Sequence, residues 1–217
     1  MAHQDVTYQD MAHHRDSSNI VPFRGRGVRA QLREALDGRV PLRLLRERIQ
    51  GGWVHGYVIG LSAEFCLIAE VSDAMRFDGF LVVGVGDVSE VEEDPGREFV
   101  ERALALNGEE PPQLANFKLD DWHSIAESAA AATPLISLNM LDEENGEVSY
   151  IGRLTGAESD ALVLQEIDPN AKWYSDTGAY EFQGIGSISF GTAYMLMLAR
   201  IAGVPSIPLP PEALPAS

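Results

Sequence analysis

The residues able to do chemistry are few and scattered along this 217-residue chain. His55 lies between Trp53 and Tyr57 in a run of alternating apolar residues, and His123 stands beside Trp122 in an alanine-rich stretch. An enzyme needs a base beside a nucleophile, or carboxylates held together in a pocket. Neither histidine declares such a partner, and both read as packing or capping residues. Asp73, Asp78, Asp168 and Asp176 fall near strand ends, where turns favour Asp because its carboxylate bonds nearby backbone. Cys66 is the single cysteine, so there is no intrachain disulfide, and its apolar neighbours mark it as a core residue. Gly84-x-Gly86 and Gly184-x-Gly186 are too short for phosphate loops and open no helix. His3, His13, His14 and Asp16 could chelate a metal, but a polar tail lacks the outer hydrogen bonds that hold ligands in place. The reading is therefore of a protein that is not an enzyme, with no catalytic residue, no metal and no cofactor.

Two groups of residues suit contact better than catalysis. Trp173 and Tyr174 are adjacent large aromatics in the polar stretch PNAKWYSDTG. They offer a surface for a partner or ligand, or else they cover the end of an apolar core. Arg24, Arg26, Arg29 and Arg33 belong to an arginine-rich segment running from Arg15 to Arg48. They could contact nucleic acid, or solvate a helix and pair with acids elsewhere. Net charge bears on that choice. The chain carries −17; residues 1–50 hold nine Arg against six acids, and residues 51–217 hold seven Lys and Arg against twenty-seven acids, which leaves the second part at −20. So acidic a body repels a polyanion at long range. No apolar run reaches the ~18 residues that a membrane span needs, and the first residues lack the apolar core of a secretory signal, so the expected location is the cytoplasm.

These residues must be positioned by strands and short helices. Val28, Leu32, Ala35 and Leu36 fall at helical spacing before Asp37-Gly38, which predicts a helix over 27–37. Then PLRLLRERI, WVHGYVIGL and FCLIAEVS, separated by QGG and SAE, read as three consecutive strands. A fourth, GFLVVGV, follows the turn residues Asp78-Gly79, and a fifth spans residues 87–91. PGREFVERALAL is a helix with Pro near its first turn and Asn107-Gly108 at its end. After the linker at 109–118, Asp120 and Asp121 cap a second alanine-rich helix, and Pro134 starts a new series of strands.

That new series repeats the first. Gly56, Gly60, Leu67, Ile68, Glu70 and Val71 match Gly152, Gly156, Val163, Leu164, Glu166 and Ile167, each 96 residues later. A four-residue insertion around PNAKWYSDTG then aligns GVGDV at 84 with GIGSI at 184, and the helices ending at Gly108 and Gly203 correspond. Helix, five short strands, helix occurs twice. The predicted organisation is a mobile tail at 1–18, a first unit at 19–108, the linker, a second unit at 119–203, and a proline-rich tail at 204–217.

A short helix followed by five curved strands with glycines so placed resembles the Sm-like barrel of the Lsm proteins and the bacterial RNA chaperone Hfq, over roughly residues 27–91 and 119–190. The layout also looks like bacterial proteins with two tandem Sm-like barrels, for which the resemblance implies no activity. The fold it implies is mainly β with flanking helices: two tandem five-stranded Sm-like or SH3-like open barrels. In that family the loops between strands two and three and between four and five touch RNA through Asp-Asn and basic motifs. Here those loops read Ser62-Ala63-Glu64 and Glu158-Ser159-Asp160, then Gly84 to Gly86 and Gly184 to Gly186, without basic residues. Sm-like barrels pair the fourth strand of one with the fifth of the next, so the two units could pair with each other or across copies. The expectation is an interaction or scaffold protein that binds a protein partner or itself through barrel edges. RNA binding through Arg24, Arg26, Arg29 and Arg33 is the alternative.

Overall fold

The structure is a computed structural model and describes residues 27–47, 49–142 and 146–203. Both expected tails, Arg24 and Arg26 lie outside the described residues. The first half contains α1 (Val28–Gly38), β1 (Leu42–Arg46), β2 (Gln50–Leu61), β3 (Phe65–Val71), β4 (Phe77–Gly84), a 3-10 turn at Val85–Asp87, β5 (Glu90–Glu93) and α2 (Arg97–Leu106). The second half repeats it: α3 (Trp122–Ala132), β6 (Ile136–Asp142), β7 (Gly146–Ala157), β8 (Ala161–Ile167), β9 (Trp173–Glu181), a 3-10 turn at Phe182–Gly184, β10 (Ile185–Phe190) and α4 (Ala193–Ala202). The helix ends follow local chemistry. Arg39, in the left-handed region after Asp37-Gly38, donates its N–H to the carbonyls of Ala35 and Leu36. Asp121 accepts from the Ser124 N–H at 2.7 Å while the Ser124 hydroxyl accepts from the Asp121 N–H, a reciprocal cap for α3.

Among the described residues, the ten strands join in one antiparallel sheet of order β5-β1-β2-β3-β4-β10-β6-β7-β8-β9. It is open, with β5 and β9 at its ends, and the halves are not separate sheets. Each half has its fifth strand beside its first, and β4 of the first half pairs with β10 of the second from Phe80↔Phe190 to Val83↔Ser187. The fourth-to-fifth pairing thus occurs inside the chain. The core follows the joint. Phe65, Leu67 and Val82 of the first half share one apolar cluster with Ile125, Ile136, Leu138, Leu162, Ile188 and Phe190 of the second. A second cluster holds α1 against the first half through Leu32, Leu44, Val58, Ile68 and Val83. The helices α2 and α4 pack on the opposite faces, against Tyr57 and Phe77, and against Ile167 and Trp173.

The register corrects the sequence alignment of the halves. Val71↔Phe77 corresponds to Ile167↔Trp173, still 96 apart, while Ala69↔Phe80 corresponds to Gln165↔Thr177, so β9 carries a single extra residue. From there the offset is 97: Leu44↔Val91 matches Leu138↔Ile188. The expected four-residue insertion does not exist, and the match of GVGDV with GIGSI is accidental. Hydrogen bonds decide the register. Val85 N–H donates to Glu64 O at 2.7 Å, and Phe182 N–H donates to Asp160 O at 2.8 Å. The fifth strand accordingly runs over 90–93, later than the expected 87–91. Asp78-Gly79 is not the hairpin turn either. The chain reverses at Ser72–Arg76, where Met75 takes φ 55 and donates to Ser72 O. Gly79 lies within β4 at φ 86, where a Cβ would stand 2.8 Å from Phe190 O, so its lack of a side chain lets β4 approach the end of β10. The expected QGG turn is strand as well, because the reversal comes at Arg46, whose carbonyl accepts from Ile49 N–H.

Candidate functional site

The residues singled out for contact are not brought together. Trp173 begins β9 and packs among Ile151, Ile167 and Ala199, and its Nε1 donates to Gly203 O at 3.2 Å. It covers apolar surface under α4. Tyr174 is 55% exposed and only its backbone is engaged, accepting from Gln165 Nε2 at 3.2 Å. Arg29 and Arg33 are exposed one turn apart on α1, in the other half.

Several of the candidate chemical groups have structural partners. His55 Nδ1 lies 2.8 Å from Asp94 Oδ2, and Asp94 Oδ1 accepts from Gly96 N–H at 2.7 Å. The pair borders a cavity of about 250 Å³ that Ser72, Met75 and Phe99 also line. The Ser72 hydroxyl there donates to Arg76 O at 3.1 Å, which ties it to its turn. His123 faces Glu127 on the exposed side of α3 at 3.3 Å. Burial pushes the Cys66 thiol up to about 12, which makes it unreactive. Asp168 accepts from the N–H groups of Asn170 and Lys172 across its turn, and these bonds hold its carboxyl below the usual range. Among the described residues, no three His, Cys, Asp or Glu side chains are grouped to hold a metal ion.

Strand edges carry the features that sequence reasoning missed. At the inner joint, Phe190 is fully buried and stacks on Phe80 and Phe117, with centroids 5.0 and 5.4 Å away. Val82 faces Ile188, and Val83 faces Ser187. Beside them runs a buried polar seam. The Arg46 side chain of β1 is 0% exposed; its Nη2 donates to Glu147 Oε1 at 3.1 Å and to Gly186 O at 2.7 Å, while its Nε and Nη1 have no hydrogen-bond partner among the described residues. Ser187 donates to the same Glu147 oxygen, and Asn139 donates to Ser187 and Ser189. The seam fastens the first half onto the second through side chains that look solvent-facing in sequence.

The outer edges differ in kind. β5 reads Glu-Val-Glu-Glu, with Glu90 exposed, Glu92 paired to Arg43 at 2.6 Å and Glu93 to Arg97 at 3.0 Å. β9 exposes Tyr174, Asp176, Thr177, Ala179 and Glu181. Behind it, Glu166 of β8 accepts from the Tyr180 hydroxyl at 2.5 Å, and burial with that bond raises the phenol far above its ordinary value. Glu70, the counterpart of Glu166, lies beside the joined strand β4. Burial first, and then the Asp78 carboxylate, pushes it up to about 7. On α4, Tyr194, Met197 and Ile201 form an exposed apolar stripe. No described helix is long and apolar enough to cross a membrane. Compared with known proteins, the chain matches no family model, no curated protein and no solved structure.

Proposed function

We propose that the protein is a non-enzymatic interaction scaffold of the cytoplasm, built of two Sm-like open barrels, whose free strand edges receive a protein partner or a second copy. The observation that carries this reading is the β4–β10 joint: a fourth strand and a fifth strand of these halves already bind each other, and among the described residues one of each lies at an end of the sheet with no further strand beside it. An unpaired edge presents a row of backbone donors and acceptors, which is a template for another strand. Support also comes from His55, His123, Asp78 and Asp168, each of which has a structural partner. The test is to purify a tagged copy from its native host and map amide exchange in the complex. Slowed exchange over 90–93 or 173–181 is expected; protection confined to other elements, with a monomer mass by light scattering at high concentration, overturns the reading.

RNA binding is the second reading, favoured by exposed Arg29 and Arg33 one turn apart on α1. It requires affinity for single-stranded RNA that falls steeply with salt. Absence of binding at low salt removes it.

A further inference from the structure

We propose that the edge of β9 takes up an extended strand from a partner protein in which apolar residues alternate with lysine or arginine, and that it selects against β5 of a second copy. The inference rests on the strand-edge reading above and adds the chemistry of the partner. The inner joint supplies the register. By the 97-residue offset, Phe80, Leu81, Val82 and Val83 of β4 correspond to Thr177, Gly178, Ala179 and Tyr180 of β9. A strand docked on β9 as β10 docks on β4 therefore places alternate residues opposite Gly178 and Tyr180, on one face, and the others opposite Thr177 and Ala179, on the other face.

The first face is where Glu166 sits. Its carboxylate accepts from the Tyr180 hydroxyl, and a Cβ built on Gly178 would come within 2.8 Å of Glu166 Oε1. With no side chain at Gly178, a residue opposite it reaches that carboxylate across bare backbone. β10 places Ser189 and Ser187 at the equivalent positions against β4, which are small and neutral. β5 of a second copy would place Glu92 opposite Gly178 and Glu90 opposite Tyr180, both against Glu166. Carboxylates gathered on one face of the sheet repel one another, and like charge across an interface suppresses the wrong partner. Lysine or arginine at those two positions instead makes a charge-assisted bond to Glu166. The −20 of residues 51–217 draws such a strand in. The other face, with its small Ala179, accepts apolar residues.

The contrast with the joined strand agrees with this. Beside β4, whose Leu81 and Val83 belong to the core, the equivalent Glu70 is pushed toward its neutral form by burial and by Asp78. Beside β9, glycine and tyrosine stand in place of Leu81 and Val83 and leave the acid for a cation from outside.

The probe is a synthetic nine-residue peptide alternating arginine and valine, compared with one alternating glutamate and valine, each added to the full-length protein. The expected result is at least tenfold tighter binding of the arginine peptide, slowed amide exchange over 173–181, and binding weakened about fivefold or more in Glu166→Gln, which keeps an acceptor for Tyr180. Binding of the arginine peptide without protection of β9, or unchanged binding in Glu166→Gln, overturns the proposal. Equal protection of β9 by both peptides removes the charge preference while the strand-edge reading stands. A mass increase in the absence of peptide, with β5 and β9 protected together, shows that a second copy is accepted and overturns the selection.

Discussion

The inner joint and the outer edges are built from equivalent strands and have opposite chemistry. β4 and β10 meet through Phe80 and Phe190, and through Val82 and Ile188. Their counterparts at the ends of the sheet are Thr177 and Glu93, and Ala179 and Val91. One pair of edges is apolar and consumed inside the chain; at the other, Val91 alone is apolar and buried, and Thr177, Ala179 and Glu93 stand where the joint has Phe80, Val82 and Phe190. The difference shows that edge geometry alone does not determine who binds whom. Backbone donors and acceptors line both kinds of edge, and it is the side chains flanking them that differ.

Four measurements break or sharpen this contrast. Phe190→Ala removes a fully buried ring that stacks on two others, so urea unfolding should lose about 3–5 kcal/mol; a loss below about 1 kcal/mol would show that the joint is not a core. Glu147→Leu leaves Arg46 as a buried unpaired charge and is expected to cost about 3 kcal/mol. Adding Arg46→Met should restore much of that, and strict additivity of the two changes would contradict the coupling.

Glu70 makes a pH prediction. Its folded-state value of about 7 lies above the ordinary 4.5, so the native state holds a proton that the unfolded chain releases. Stability from this group is full below about pH 4.5 and is lost as pH rises through about 7. Glu70→Gln should therefore flatten the profile and raise stability near pH 8, by on the order of 1–3 kcal/mol; an unchanged urea midpoint there would remove the buried-acid account. The smallest effect is expected outside. Glu90→Ala and Thr177→Ala change exposed edge residues and should shift stability by less than about 0.5 kcal/mol. A larger loss in either would mean that the outer edges are already structural.

Much of the fold was legible in local chemistry. Alternating apolar residues marked the strands from Leu42 to Gly84 and from Ile136 to Ile167, and Asp121 announced the start of α3. Helix stops at Asp37-Gly38 and Asn107-Gly108 were equally plain. What misled was similarity between short motifs. GVGDV and GIGSI align by eye, yet the hydrogen bonds of Val85 and Phe182 put them three residues out of register. Asp78-Gly79 looked like a turn because Asp-Gly usually is one, and the close approach of β10 claimed that glycine instead. For the candidate site, Trp173 and Tyr174 could be picked out as aromatics, but their division into a packed ring and an exposed one depends on where α4 lies.

By itself, the sequence determined the elements, their duplication and the acidity of the body, because helix caps, strand alternation and charge are properties of residues near one another in the chain. Tertiary structure decided which of four equivalent edges would be joined, that Arg46 would be buried against Glu147, and that Glu166 would stand behind an open strand. The first two outcomes pair residues about a hundred positions apart, and only a packed sheet brings such residues within reach of each other; the third depends on which strand that packing leaves at the edge.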